Sequence, residues 1–315
     1  MKRREFVTLV GGMASFAFIG RASAAPPPAI EDGTPIGRGK LLVVHEDNTG
    51  RIVALDSSSY LSAHPTGPGD VIVVGSYCGT RIVAPMFSRG VKAIIATDAG
   101  IGKDDAGISG LKQGEAIGVP VAAIVTMSAE TSNGRSTLLG VISRANAQAR
   151  ALGVVPGMPA YEAAALLARA PHGKPVPTSA GDEEMPVVVE DTPHGRIWTA
   201  GGSTAFHDKI PNDVFCSGSN ASRVFSDGAL RIGAKGGIAN DAGIAKNNSA
   251  VEGVMLLAEK GVPAASVSTM SARLAEGLST WNDGVISVMN EIAARRGVKV
   301  GMTAKDAARL MLRSG

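Results

Sequence analysis

The chain repeats itself at nearly constant spacing. Asp98-Ala-Gly-Ile-Gly-Lys103 returns as Asp241-Ala-Gly-Ile-Ala-Lys246, Gly118-Val-Pro120 as Gly261-Val-Pro263, and Thr126-Met-Ser-Ala129 as Thr269-Met-Ser-Ala272, all 143 positions apart. Gly140-Val-Ile-Ser143 matches Gly284-Val-Ile-Ser287 at 144, so one residue is inserted between these blocks. A duplication of this length restricts the fold to two similar units and makes the chain a two-row alignment of itself. The units exceed the ~20–50 residues of solenoid repeats, so each must carry its own core. The length of 315 residues agrees with two domains of roughly 150 each.

Residues 1–24 read as an address rather than as fold. Lys2-Arg3-Arg4 precedes an apolar stretch from Val7 to Gly20, and Arg21 with Ala22-Ser23-Ala24 completes a small-x-small cleavage pattern. The arginine pair and mild apolar run resemble a twin-arginine export signal. That implies the twin-arginine translocase as a partner, cleavage after Ala24 and a periplasmic location. The run is shorter than the ~20 residues of a comfortable span, so no stable membrane segment is expected. Removing its four basic residues and Glu5 from totals of 31 basic and 28 acidic leaves 27 of each. A mature chain of zero net charge lacks the electrostatic footprint of a nucleic-acid binder. The two cysteines, Cys78 and Cys216, are not equivalent in the repeat, and no Cys–His spacing fits a metal site.

Residues 25–40, rich in Pro and Gly, read as a flexible lead. The first repeat then spans 41–170, a Pro/Gly/polar linker 171–185, and the second repeat 186–315. Asp70 to Val74, Val91 to Thr97 and Pro120 to Val125 are short, non-alternating apolar runs that predict buried strands. Arg81 to Ser88, Ala106 to Ile117, Ser143 to Leu152 and Tyr161 to Ala168 predict helices. The expected fold class is α/β: two homologous Rossmann-like β-α-β-α-β repeats with parallel strands, related by a pseudo-twofold. They form either two lobes or one continuous sheet. Glu46-Asp47 aligns with Glu190-Asp191, and Gly50-Arg-Ile52 with Gly195-Arg-Ile197.

Open parallel sheets bind ligands beyond the carboxyl ends of their strands. The matched polar residues fall in those loops: Ser76/Ser219, Asp98/Asp241, Lys103/Lys246, Thr126/Thr269 and Ser128/Ser271. Lys103 and Lys246 each follow a Gly-containing turn before a helix, which suits an anion clamp or a base. Asp98 and Asp241 end strands and are candidates for base, lysine orienter or turn cap. Ser76 and Ser219 sit in Gly-Ser at a strand-to-helix turn, suited to a nucleophile, an oxyanion contact or a cap. Asn146 and Asn290 begin helices as caps and stand as weaker candidates, as does the thiol of Cys78. His64 and His207 align but lie toward the opposite end of the sheet. The loops match neither a Walker A motif, since Thr97 and Asp104 occupy its Gly and Ser/Thr positions, nor a dinucleotide fingerprint, since Asp105 takes its third Gly. Asp98, Asp104 and Asp105 offer an oxygen-rich cation set in the first half only, because Asn247 and Asn248 replace the last two.

The motifs Gly-Ser-x-x-Gly, Asp-Ala-Gly-Ile-x-Lys-Asp/Asn and Gly-Val-Ile-Ser resemble a group of bacterial tandem-repeat α/β proteins; the resemblance carries no activity with it. The leading expectation is an exported enzyme, hydrolase or lyase, acting on a small anionic metabolite. Lys103 and Lys246 bind the anion, Asp98 is base or orienter and Ser76 attacks or stabilises an oxyanion. Asp241, Ser219, Ser128, Ser271, Asn146 and Asn290 complete the binding set. The alternative is a periplasmic solute-binding protein for a small anion. Cofactor and oligomeric state are not readable from the residues.

Overall fold

The computed structural model describes residue 30, residues 34–177 and residues 184–313. The proposed signal peptide and its cleavage point lie outside the described residues. So do half of the lead and the middle of the linker.

Each half builds one six-stranded sheet. The first half contains β1 (Leu42–Asp47), β2 (Gly50–Leu55), β3 (Asp70–Tyr77), α1 (Thr80–Ser88), β4 (Ala93–Thr97), α2 (Ser109–Ala116) and β5 (Val121–Ile124). It continues with α3 (Gly134–Leu138), β6 (Ile142–Ala145), α4 (Ala147–Ala151) and α5 (Ala160–Leu167). The second half follows the same order. It runs through β7 (Val187–Thr192), β8 (Gly195–Ala200), β9 (Val214–Asn220), α6 (Arg223–Ile232), β10 (Gly236–Asn240), α7 (Glu252–Ala258) and β11 (Ala264–Val267). It ends with α8 (Gly277–Asp283), β12 (Ile286–Met289), α9 (Glu291–Arg295) and α10 (Ala304–Arg313). Strands lie in sequence order in both sheets. The α/β architecture with two similar halves is as expected, in the form of two separate sheets.

The three predicted apolar runs form β3, β4 and β5; a fourth parallel strand, β2, which the sequence reading did not assign, joins them, and the second half repeats this as β8 to β11. Alternate residues of these strands feed two cores per half. Val71, Val73, Ile95 and Ile124 pack under α5, while Ile72, Val74, Ile94 and Val121 pack with Val83, Met86 and Phe87 of α1. The antiparallel edge strands escaped the sequence reading because they carry little apolar signal. β1 is half-buried or exposed along its length and ends in Glu46-Asp47. Charged, solvent-facing edges are how sheets avoid pairing with another chain. Ser143 to Ala145, expected as helix, belongs to β6, and the helix starts only at Ala147.

The edge hairpins also correct the alignment of the two halves. His45 pairs with Ile52, and Glu190 pairs with Ile197. The spatial twin of Glu190 is therefore His45, one residue from the Glu46 that matches it in sequence. Gly50 turns this hairpin at φ +139°, and a Cβ there would meet the Gly69 carbonyl oxygen at 1.9 Å.

Matched polar residues also gather at the end of the sheet away from the predicted site. Arg51 pairs with Asp70 at 2.8 Å, and its twin Arg196 pairs with Asp213 at 3.2 Å. Lys92 Nζ donates to the carbonyls of Thr49 and Ala168, and Lys235 Nζ to that of Leu312. These groups tie the hairpin and the last helix of each half to the sheet. The described ends of the lead and linker are likewise held: Ile30 is fully buried, and the amides of Ile36 and Gly37 donate to Asp56. Val176 N donates to Phe87 O.

The halves dock through their Asp-Ala-Gly-Ile loops. Backbone angles repeat residue by residue: φ is +48° at Ala99 and +45° at Ala242, +67° at Ile101 and +69° at Ile244, +55° at Asp104 and +56° at Asn247. A Cβ on Gly100 would lie 3.1 Å from the Gly243 Cα, and one on Gly243 3.0 Å from the Gly100 Cα. Lys103 N donates to Thr269 O at 2.8 Å, and Lys246 N to Ala129 O at 3.2 Å. Ala99, Ala106, Ala242, Ala245, Ala250 and Leu274 close an apolar cluster across the boundary. Gly243→Val should therefore separate the halves. Urea unfolding followed by fluorescence and circular dichroism should split into two transitions, and a single unshifted transition would contradict this docking role.

Candidate functional site

The loops singled out by the repeat prove to be chiefly a docking surface. Asp98 is 5 % exposed, and its Oδ1 accepts from Gly100 N at 3.0 Å and Thr126 N at 2.9 Å. Asp241 does the same for Gly243 N and Thr269 N at 3.1 and 2.9 Å. Each carboxylate shapes its own left-handed loop, the cap role among those expected. Lys103 Nζ lies 2.8 Å from Asp283 Oδ2, in the short stretch between Trp281 and Gly284 where the second repeat carries one extra residue. The lysine and the Ser279 hydroxyl hold the Asp283 carboxyl below its ordinary range. Lys246 is exposed. Ser128 Oγ donates to Val125 O and accepts from Val141 N, and Ser271 Oγ repeats this with Ser268 O and Val285 N.

Asn146 and Asn290 cap α4 and α9 and reach further into the core. Asn290 Oδ1 accepts from Ala264 N and Ala293 N, while its Nδ2 donates to the carbonyls of Val254 and Val262. Its repetition reflects this structural knot. The Asp104/Asn247 difference has a matching cause across the boundary. Asp104 faces Arg273 at 3.7 Å, whereas Asn247 donates to Glu130, the twin of Arg273, at 2.8 Å. Sign and partner changed together.

Ser76 and Ser219 have a different surrounding. Both line a cavity of about 370 Å³ that takes walls from each half and lies on the pseudo-twofold. Twin positions face each other there: Ser58 with Ser203, Ser59 with Thr204, Tyr77 with Asn220, and Ser132 with Ala275. The preceding glycines explain the Gly-Ser dipeptide. A Cβ on Gly75 would meet Asn133 N at 2.5 Å, and one on Gly218 would meet Glu276 N at 2.3 Å. Ser132 N and Ala275 N, both on positive-φ residues, donate to the Gly75 and Gly218 carbonyls at 2.8 Å. The glycine admits this clamp, and the next serine is turned into the cavity wall.

The wall is hydroxylic. Ser76 Oγ accepts from Ser58 N at 3.0 Å and donates to Ser58 Oγ at 3.3 Å. Ser219 Oγ and Ser217 Oγ are 2.8 Å apart. Ser222, 2 % exposed, stands at the N-terminus of α6 without making a capping bond, and its Oγ has no hydrogen-bond partner. Tyr77 is buried, and that burial pushes its phenol up to about 12 against the opposing pull of Arg81. Arg81 is the one charged side chain among the described residues of the wall, and Gly201 makes room for it: a Cβ there would lie 2.7 Å from Nη1.

Sequence reasoning found Ser76 and Ser219 but missed Ser58, Ser203, Ser222 and Arg81. Ser58 and Ser203 match only at a spacing of 145, so a fixed 143-residue comparison passes over them. Arg81 opposes Val224 and has no repeat signal at all.

Cys78 and Cys216 are free, fully buried thiols, and burial raises each from the ordinary 9.0 to about 12. Neither is poised as a nucleophile. The native state keeps protons that the unfolded chain releases above about pH 9, so this contribution to stability is full below that pH and declines as pH climbs toward 12. Urea midpoints at pH 8 and pH 10.5 should fall in that order. Prompt native-state labelling of either thiol at pH 8 would contradict their burial. Asn290→Ala should cost about 2–4 kcal/mol in the same urea assay, because it leaves several buried backbone groups unmatched.

No protein-family model, curated protein or solved structure matches this chain. No helix among the described residues is long and apolar enough to cross a membrane.

Proposed function

We propose that the protein binds a small hydroxylated anion, such as a hydroxy acid or sugar acid, in the central cavity. It acts as an exported solute-binding protein, with residues 1–24 serving as the export signal. The observation that carries this reading is the composition of the wall. Serine hydroxyls from both halves line it together with one guanidinium, and the Ser222 hydroxyl at a helix N-terminus still lacks a partner.

Hydroxyls donate and accept, so a ring of them suits a ligand rich in hydroxyl or carbonyl groups. A guanidinium binds a carboxylate through two parallel hydrogen bonds, and the amino end of α6 favours negative charge. A volume of about 370 Å³ suits a small metabolite. Catalysis by a serine nucleophile needs a neighbouring base. Ser76 Oγ bonds to the Ser58 amide and hydroxyl, and no His, Lys, Asp or Glu lines the cavity among the described residues. Lys103 is paired with Asp283, and Asp98 accepts loop amides, so neither supplies that base to the cavity. These contacts favour retention of the anion over hydrolysis or lyase chemistry.

Calorimetry with a panel of small hydroxy acids, sugar acids and inorganic phosphate tests the proposal. At least one carboxylate should bind one to one and be recovered unchanged. Arg81→Ala and Ser219→Ala should each weaken it by about tenfold or more, equivalent to 1.4 kcal/mol, while Lys103→Ala leaves it within about twofold. A ligand indifferent to both Arg81 and Ser219 would move the site elsewhere. A ligand consumed on incubation would restore the enzyme reading.

A further inference from the structure

The two halves differ at the end of the sheet remote from the central cavity. In the second half, Trp281, Arg309 and Leu312 fill the space between the edge hairpin and α10. Trp281 and Leu312 belong to the core that includes Ile197 and Met311. The Arg309 guanidinium lies 5.8 Å from the Trp281 ring centroid, and Lys305 Nζ 5.5 Å from it. Arg309 is also held by Glu190 through three contacts of 2.8 to 3.0 Å. An indole ring with a braced cation above it thus plugs the niche.

In the first half every part of that plug is truncated or changed. The twins of Trp281, Arg309, Leu312 and Glu190 are Leu138, Ala165, Ala168 and His45. A cavity of about 830 Å³ takes the vacated space, with Ile52, Leu138, Ala164 and Ala168 in its wall and Tyr161 beside them. A volume of this size lies within the range of small-molecule sites.

The charge of the niche changes with its shape. Where Glu190 holds a guanidinium, the first half presents the imidazole of His45, whose Nε2 lies 3.1 Å from Asp47 Oδ2. Lys92 also lines the cavity. It is 3 % exposed, and its Nζ donates to two carbonyls, Thr49 O at 2.8 Å and Ala168 O at 3.1 Å. An ammonium has three N–H donors, so one remains. The Asp47 and Glu162 carboxylates also line the cavity, but among the described residues neither forms an ion pair with Lys92. A buried cation without a counter-ion favours an anion at its free side.

We infer that this cavity is a second ligand site, for a flat apolar molecule carrying one carboxylate. The ring takes the place that Trp281 and Arg309 occupy in the other half. The carboxylate faces the remaining donor of Lys92, and His45, held by Asp47, stands at the rim. The site is independent of the central cavity and shares no lining residue with it.

2-Naphthoate and 2-naphthylmethanol are suitable probes, titrated by calorimetry into the purified protein. The acid should bind one to one, and about tenfold or more tighter than the alcohol. Transplanting the plug, Leu138→Trp with Ala165→Arg and His45→Glu, should abolish binding of both probes, since the same side chains already pack on this framework in the second half. If that triple variant does not fold, His45→Glu alone carries the test and should erase the preference for the acid. Silence of the wild type, equal affinity for acid and alcohol, or binding that survives a folded plug variant would each overturn the assignment. Loss of the hydroxy-acid site through Arg81→Ala leaves this titration unaffected, so the two readings fail separately.

Discussion

The back-to-back approach of two glycines, Gly100 and Gly243, is the constraint on which the molecule depends. Their loops run through left-handed conformations that side chains seldom adopt, and they repeat those angles in both halves. Such strain persists only where surrounding contacts compensate for it. Here each half supplies them to the other, through backbone hydrogen bonds from Lys103 and Lys246 and through a small alanine-rich cluster. Asp98 and Asp241 prepare the loops for that contact. The most conspicuous motif in the chain is thus the means by which the chain recognises its own duplicate.

Docking on this axis has a consequence for binding. The strand-end loops that close one part of the boundary leave a cavity beside it, where Ser76 and Ser219 meet Ser58 and Ser203. Neither half encloses this space alone. Near-symmetric walls suit a ligand with hydrogen-bonding groups on opposite sides, and Arg81 breaks the symmetry by giving one side a charge.

The halves have diverged by paired changes. Asp104 faces Arg273 where Asn247 faces Glu130, and Lys103 meets Asp283 beside the one-residue insertion. Asp56 accepts from Gly134 N in the first half, while Glu184, from a different stretch of chain, accepts from Gly277 N in the second. The plug of Trp281 and Arg309 lost its counterparts together. In the apolar plug packing must change in concert, because a group left buried without its partner costs more than the contact contributed, whereas the exposed pairs of Asp104 and Lys103 are matched by charge alone.

The sequence by itself determined the duplication, the parallel apolar strands, the α/β class and the positions of the strand-end loops. Each of these depends on local pattern, on spacing or on runs of Val, Ile and Ala buried on both faces of a sheet. It could not tell a loop that holds a ligand from a loop that holds another loop, since both call for glycine, carboxylate and hydroxyl at the same places. The edge strand β1 was hidden because half-exposed residues carry no apolar period, and β6 because its four residues run straight into the helix that follows. Only the tertiary structure decided that Asp98 serves backbone amides, that Glu190 sits opposite His45 rather than Glu46, and that Arg81 reaches a cavity built from both halves. Those facts arise from contacts between residues far apart in the chain, and no local pattern encodes such meetings.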